Sequence, residues 1–149
     1  MPDLHRTPVA DVMTYRPTVV APDDPLGRAA ALFDTYGFDL LPVCRAGWLV
    51  GVLSRQDVLR GCAQALTLGR LQAAALGSVL ARPVEEFMSK SFVAVESQAP
   101  LGHVLEQMVH HGHHALPVVF GALLLGVVTR RDLLRAVRCA AGPLAQAAA

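Results

Sequence analysis

Cysteine, lysine, aromatic side chains and catalytic signatures are all scarce in this 149-residue chain, and each scarcity removes a class of function. Cys44, Cys62 and Cys139 are odd in number, widely spaced and include no Cys-x-x-Cys pair. That excludes a disulfide framework and a zinc knuckle, and it suits a reducing cytoplasm. Lys90 is the only lysine; arginine supplies the rest of the positive charge, and no function follows from that choice. Nothing resembles a signal peptide, because Met1 to Pro8 already holds Asp3 and two prolines. The longest apolar run, Ala115 to Val128, falls short of the roughly 20 residues of a membrane span and is interrupted by Pro117, Gly121 and Gly126. A net charge of +1 gives no global attraction to nucleic acid or an acidic membrane. Arg131, Arg135 and Arg138 form a basic stripe at helical spacing, but no aromatic platform or second basic run accompanies it, so nucleic acid is not indicated. There is no Gly-x-Ser-x-Gly, no His-Glu-x-x-His and no Walker loop. The expectation is a binding protein, not an enzyme.

What is present is an internal duplication. Shifting the chain by about 75 residues lays Pro8 to Arg60 on Pro83 to Arg135 without a gap, and about 18 of roughly 53 aligned positions are identical. Met13-Thr14 meets Met88-Ser89, Pro25-Leu26-Gly27 meets Pro100-Leu101-Gly102, and Leu41-Pro42-Val43 meets Leu116-Pro117-Val118. Gly51 to Asp57 likewise meets Gly126 to Asp132. With 53% hydrophobic residues the chain can bury a substantial core. Two copies of one small α/β (α+β) unit, packed with pseudo-two-fold symmetry and functional between the copies, are expected.

Each copy reads strand, helix, strand, strand, helix. Thr18-Val19-Val20 and Val93-Ala94-Val95 are candidate first strands, Pro25 and Pro100 mark helix starts, and Gly37 and Gly112 suit left-handed helix stops. Leu40 to Cys44 with Trp48 to Leu53, and Ala115 to Val119 with Leu123 to Val128, read as hairpins whose near-continuous apolarity predicts cover on both faces. Leu71, Ala74, Ala75 and Val79 stand at helical spacing between the copies. The organisation expected is repeat 1 over 7–66, a helical linker over 67–82, repeat 2 over 83–140 and a frayed alanine-rich tail over 141–149.

Ser54-x-x-Asp57 and Thr129-x-x-Asp132 each follow a strand ending in Gly-Val-hydrophobic and open a helix. A hydroxyl at the cap with a carboxylate three residues on is a capping box that needs no ligand. The same groups can also hold a phosphate on free helix N–H groups while the carboxylate accepts two hydrogen bonds from a ribose diol. Both readings stand on sequence alone.

The order and repetition of these motifs closely resemble the cystathionine-β-synthase (CBS) domain family, and two copies over about Thr7 to Arg138 are similar to its tandem pair, the Bateman module. The resemblance implies a stand-alone regulatory module with no required cofactor, binding AMP, ADP, ATP or S-adenosylmethionine in clefts between the copies and altering an effector protein. It further implies that Asp57 and Asp132 take ribose hydroxyls, and that Ser54 and Thr129 meet phosphate. Thr18, Val20, Leu40, Pro42, Val93, Val95, Leu116 and Pro117 would wall the base, and Arg55, Arg130, Arg131 and His114 would add phosphate contacts. The hairpin turn often carries an acidic residue in this family; Cys44 to Gly47 and Val119 to Ala122 have none. Homodimerisation is expected from apolar helix faces and from the family's disk-like pairing.

Two rivals belong to other classes. One is a structural or interaction module with empty clefts and Ser/Thr-x-x-Asp motifs that serve only as caps. The other is a metal or pH sensor using His103, His110, His111, His113 and His114, where the first copy has Arg28, Thr35, Tyr36, Phe38 and Asp39.

Overall fold

The computed structural model describes residues 3–67 and 73–143. In chain order its elements are β1 (Thr14–Tyr15), α1 (Leu26–Tyr36), β2 (Leu41–Arg45), β3 (Trp48–Leu53), α2 (Arg55–Thr67) and α3 (Ala73–Leu80). They continue with β4 (Val95–Glu96), α4 (Leu101–His111), β5 (Ala115–Phe120), β6 (Leu123–Thr129) and α5 (Arg130–Ala141). Single 3-10 turns at Val9–Asp11 and Val84–Glu86 occupy equivalent places in the two copies.

Compact units and sequence repeats do not coincide. Among the described residues, one unit comprises those within 18–92; the other joins those up to Pro17 to those from Val93 onward. Each repeat thus gives its leading segment, the 3-10 turn and the Met-Thr or Met-Ser that follows, to the body of the other repeat. In the second-copy unit, β1 pairs antiparallel with β6, Thr14 opposite Val127 and Tyr15 opposite Gly126. The first-copy unit has the counterpart as a bridge in which Ser89 and Val52 exchange N–H···O bonds of 2.9 and 3.0 Å.

Glycine makes this exchange possible. A Cβ on Gly126 would lie 2.6 Å from the Thr14 carbonyl oxygen and 2.7 Å from Met13 Sδ. On Gly51 it would lie 2.5 Å from Met88 Sδ and 3.0 Å from the Ser89 carbonyl oxygen. The glycine of each Gly-Val-hydrophobic strand end is the place where the foreign lead crosses at backbone contact.

The cores repeat residue by residue. Val9, Val95, Leu101, Val104, Met108, Leu116, Val118, Val128 and Leu133 form one cluster. Val84, Val20, Leu26, Ala29, Phe33, Leu41, Val43, Leu53 and Val58 occupy the matching positions of the other. Where side chains differ, volume is exchanged between neighbours: Ala29 with Phe33 becomes Val104 with Met108, and Leu53 with Val58 becomes Val128 with Leu133. Val9 and Val84, both 0% exposed, sit in the core of the opposite repeat's unit.

The hairpins form as expected, with turns at Ala46-Gly47 and Gly121-Ala122, and α1 and α4 stop at left-handed Gly37 (φ 63°) and Gly112 (φ 66°). The first strands are shorter than the sequence suggests. Neither Thr18-Val19 nor Val93-Ala94 is strand; parallel pairing begins at Val20, opposite Val43, and at Val95, opposite Val118. Val20 donates to the Pro42 carbonyl (3.1 Å) and accepts from Cys44 N–H (2.9 Å). One step earlier the ladder would need an N–H from Pro42, or from Pro117 in the second copy, and proline has none. Of the expected linker helix, Ala74, Ala75 and Val79 lie in α3 and Val79 packs into the first-copy core, while Leu71 lies outside the described residues. The expected frayed tail falls beyond 143 in the same way, apart from its first residues.

Truncating Val9 to Ala should cost about 2 kcal/mol and lower amide-exchange protection in α4 and β5 rather than in its own repeat. Val84→Ala should do the reverse, lowering protection in α1 and β2. Hydrogen-exchange mass spectrometry of the two variants checks this, and loss confined to the mutated repeat would contradict the exchange of leads.

Candidate functional site

The two Ser/Thr-x-x-Asp motifs have the same local geometry. Ser54 N–H donates to Asp57 Oδ2 at 2.9 Å, and Asp57 N–H donates to Ser54 Oγ at 3.2 Å. Thr129 N–H donates to Asp132 Oδ2 at 2.9 Å, and Asp132 N–H donates to Thr129 Oγ1 at 3.2 Å. Both are reciprocal capping boxes, so the purely structural use of the motif is realised in each unit. The cap occupies one carboxylate oxygen. The other, Oδ1, faces an arginine one turn on: Arg60 Nη1 at 3.1 Å from Asp57, and Arg135 Nη1 at 3.9 Å from Asp132.

The carboxylates differ in access. Asp132 is buried, and the Thr14 hydroxyl donates to its Oδ2 at 3.3 Å across the β1–β6 pairing. The equivalent Ser89 hydroxyl turns to the Ser91 carbonyl at 2.8 Å, leaving Asp57 half-buried. Asp132 also lines a cavity of about 350 Å³ beneath the amino-terminal segment, with Thr7, Asp11, Met13 and Arg135. A carboxylate with one oxygen fixed by backbone and one shared with a solvent-exposed arginine can accept hydrogen bonds from a diol without dismantling the cap.

The remaining residues named from sequence divide between the units. Thr18 and Val93 are exposed at equivalent positions before the parallel pairing; Val20 and Val95 are core, as is Leu116. Pro42 and Pro117 are buried within β2 and β5, and Leu40 is half-buried just before β2. Arg55 is exposed and pairs with Asp39 at 3.3 Å. Arg130 stands at the equivalent place, but the position of Asp39 is taken by His114, whose carbonyl accepts from Arg130 N–H at 3.2 Å. Arg131 is exposed. The structure therefore brings together Ser54 with Asp57, Thr129 with Asp132, and His114 with Arg130.

Sequence reasoning missed Thr14, Arg60 and Arg135 as partners of the two carboxylates. Arg60 and Arg135 were legible as i, i+3 partners conserved between the copies. Thr14 was not, because its partner lies 118 residues away.

His103 and His110 are exposed on α4, and the rings of His111 and His113 are 6.0 Å apart. Among the described residues no three His, Cys, Asp or Glu side chains are placed to hold a metal ion. No helix among them is long and apolar enough to cross a membrane.

The CBS domain family model matches residues 9–63 and again 84–139. The chain belongs to the CBS domain family. It carries the CBS domain twice, in tandem, and CBS domains are regulatory modules. It is 29% identical over 125 residues to the CBS domain-containing protein YhcV of Bacillus subtilis (strain 168), covering 84% of this chain and 81% of that protein. It is 29% identical over 126 residues to an uncharacterized 33.4 kDa protein in a ribosomal RNA operon of Thermofilum pendens. There the match takes in 85% of this chain and only 42% of the relative. Among solved structures, CBSX2 in complex with AMP superposes with a TM-score of 0.74 and 27% identity, covering 89% of this chain and 97% of that one.

Replacing Asp132 by Ala should cost about 1 kcal/mol more than replacing Asp57, because buried Asp132 loses the bond from Thr14 whereas Asp57 loses one from the solvent-exposed Arg60. Urea denaturation of the two variants and of Thr14→Val measures it, and equal costs would contradict the tie from Thr14. Burial also raises the Cys44 thiol above its ordinary pKa, whereas Cys139 is exposed. Iodoacetamide should therefore label Cys139 readily and Cys44 only on unfolding, as read by peptide mass spectrometry.

Proposed function

We propose that this CBS pair is a regulatory sensor of an adenine-containing ligand, and that it acts on a partner protein by favouring one conformation rather than by catalysis. The observation that carries the reading is the doubled capping box, in which each carboxylate keeps an oxygen directed at an exposed arginine instead of at backbone. The likeness to CBSX2, solved with AMP, supports the ligand class. AMP, ADP, ATP and S-adenosylmethionine are the candidates, with Asp57 and Asp132 on ribose hydroxyls and Ser54 and Thr129 toward phosphate. Thr18, Val93 and Leu40 would contact the base beside Pro42 and Pro117, and Arg55, Arg130, Arg131 and His114 would add phosphate contacts.

Of the two sites we assign the first to Asp57, because Asp132 is more deeply buried and its capped oxygen also takes the Thr14 hydroxyl. A ligand reaches the partner only through a difference in affinity between conformations. Self-association as a homodimer belongs to the same proposal, supported by the leucine left exposed at the same helical position in each unit, Leu59 at 62% and Leu134 at 65%.

A second reading, a structural module whose caps need no ligand, is favoured by the completeness of both boxes. Thermal unfolding with AMP, ADP, ATP and S-adenosylmethionine separates the two. At a hundred times its dissociation constant a ligand should add about 2.7 kcal/mol to stability, and Asp57→Ala should abolish the gain. If no ligand shifts the transition, and Asp57→Ala and Asp132→Ala only lose their caps, the structural module stands instead.

A further inference from the structure

The cavity of about 350 Å³ beneath the amino-terminal segment lies wholly within the second-copy unit. Met13 and Leu101, both buried, line it together with Thr7, Asp11, Val12 and Ala136. Asp132 and Arg135 also reach it, but they face each other at 3.9 Å and Asp132 Oδ2 is taken up by the cap. The Asp11 carboxylate is the charge left over. It has no side-chain hydrogen bond or ion pair among the described residues.

The first copy shows what occupies this place when the sequence supplies it. There Arg82, Glu86, Phe87 and Gly61 stand at the positions of Thr7, Asp11, Val12 and Ala136. The Arg82 guanidinium lies over the Phe87 ring at 5.3 Å and is paired with the Glu86 carboxylate. The ring in turn lies so close to Gly61 that a Cβ there would sit 2.6 Å from it. In the second copy ring and cation are both gone, and the methyl of Ala136 recovers only part of their volume. The acid alone is kept. What remains is a largely apolar cavity with an unpaired carboxylate at the position where, in the other copy, a carboxylate meets its cation.

We infer that this cavity binds a small cation built on one aromatic ring, an aryl amidine or an arylalkyl amine, in place of the Arg82 and Phe87 side chains that the first copy supplies for itself. The ring lies against Met13 and Leu101, whose sulfur and methyl groups suit an aromatic face, and the cationic group meets Asp11. An apolar cavity of about 150 Å³ is enough to hold benzene, so the space suffices for a ring with a charged substituent. An anion is disfavoured, because Arg135 is already matched to Asp132 and Asp11 repels it. The site is separate from the nucleotide reading: of the residues given there to ribose, base and phosphate, only Asp132 lines it.

Chemical-shift titration of the isotope-labelled whole chain with benzamidine, phenethylamine, benzamide and benzoate tests it. Both cations should bind saturably, moving the amides of 7–13 and 135–139 but not those of 82–88. Benzamidine should bind about fivefold tighter than the neutral benzamide, and benzoate more weakly than either. Asp11→Asn, at an exposed position, should erase the difference between benzamidine and benzamide. Thr7→Arg with Val12→Phe and Ala136→Gly writes the first copy's residues into the second, and should fill the cavity and abolish binding of every ring. Shifts that never saturate, benzoate binding as tightly as benzamidine, or an amidine preference that survives Asp11→Asn would overturn the inference. So would displacement of benzamidine by AMP, which would return the cavity to the nucleotide site.

Discussion

Burial of one valine from each repeat inside the other repeat's core is the constraint on which the remaining structure depends. Val9 and Val84 are closed off from solvent entirely, and each completes a ring of apolar residues that its own repeat does not supply. Once that position is filled, the following Met-Thr or Met-Ser must run across β3 at Gly51 or β6 at Gly126, and only glycine leaves room there. The same strand then delivers Ser54 or Thr129 to the start of a helix, with Asp57 or Asp132 one turn in. The candidate site is therefore downstream of the core: the lead that closes the hydrophobic cluster also brings Thr14 to the Asp132 carboxylate.

Identical capping geometry does not make the two carboxylates equivalent. The difference arises at one position, where the hydroxyl after the lead methionine points either at the carboxylate or at the carbonyl two residues further along its own chain. Duplication fixes the backbone and the cap, and small departures at single positions then separate the surroundings of the two carboxylates. The exchange of Asp39 for His114 follows the same pattern, putting a histidine where Arg55 has its carboxylate partner.

Most of the fold was legible because the repeat doubled every signal. Four of the helices, the glycine stops of α1 and α4, the hairpins and the capping boxes all appeared as matched pairs of residues, and only the linker helix α3 stood alone. What escaped the sequence is non-local or depends on a missing donor. No pattern within Thr18 to Val20 reveals that the parallel ladder must begin at its last residue; that follows from Pro42, more than twenty positions away, having no N–H. Nor could a two-residue strand at Thr14–Tyr15 announce itself, since too few residues alternate to mark a face. In the site, the residues at matched spacing were found, while the hydroxyl contributed by the other repeat's lead was not.

The reciprocal gift of leading segments also bears on ancestry. A single such repeat carries its own lead valine and methionine, which could close its core by folding back or could fill a second molecule's core in a symmetric swap. Fusing two such repeats turns that bimolecular exchange into an intramolecular one, raising the effective concentration of each lead to the range set by a short tether. Fusion also frees the two halves to diverge, because a substitution no longer falls on both sites at once.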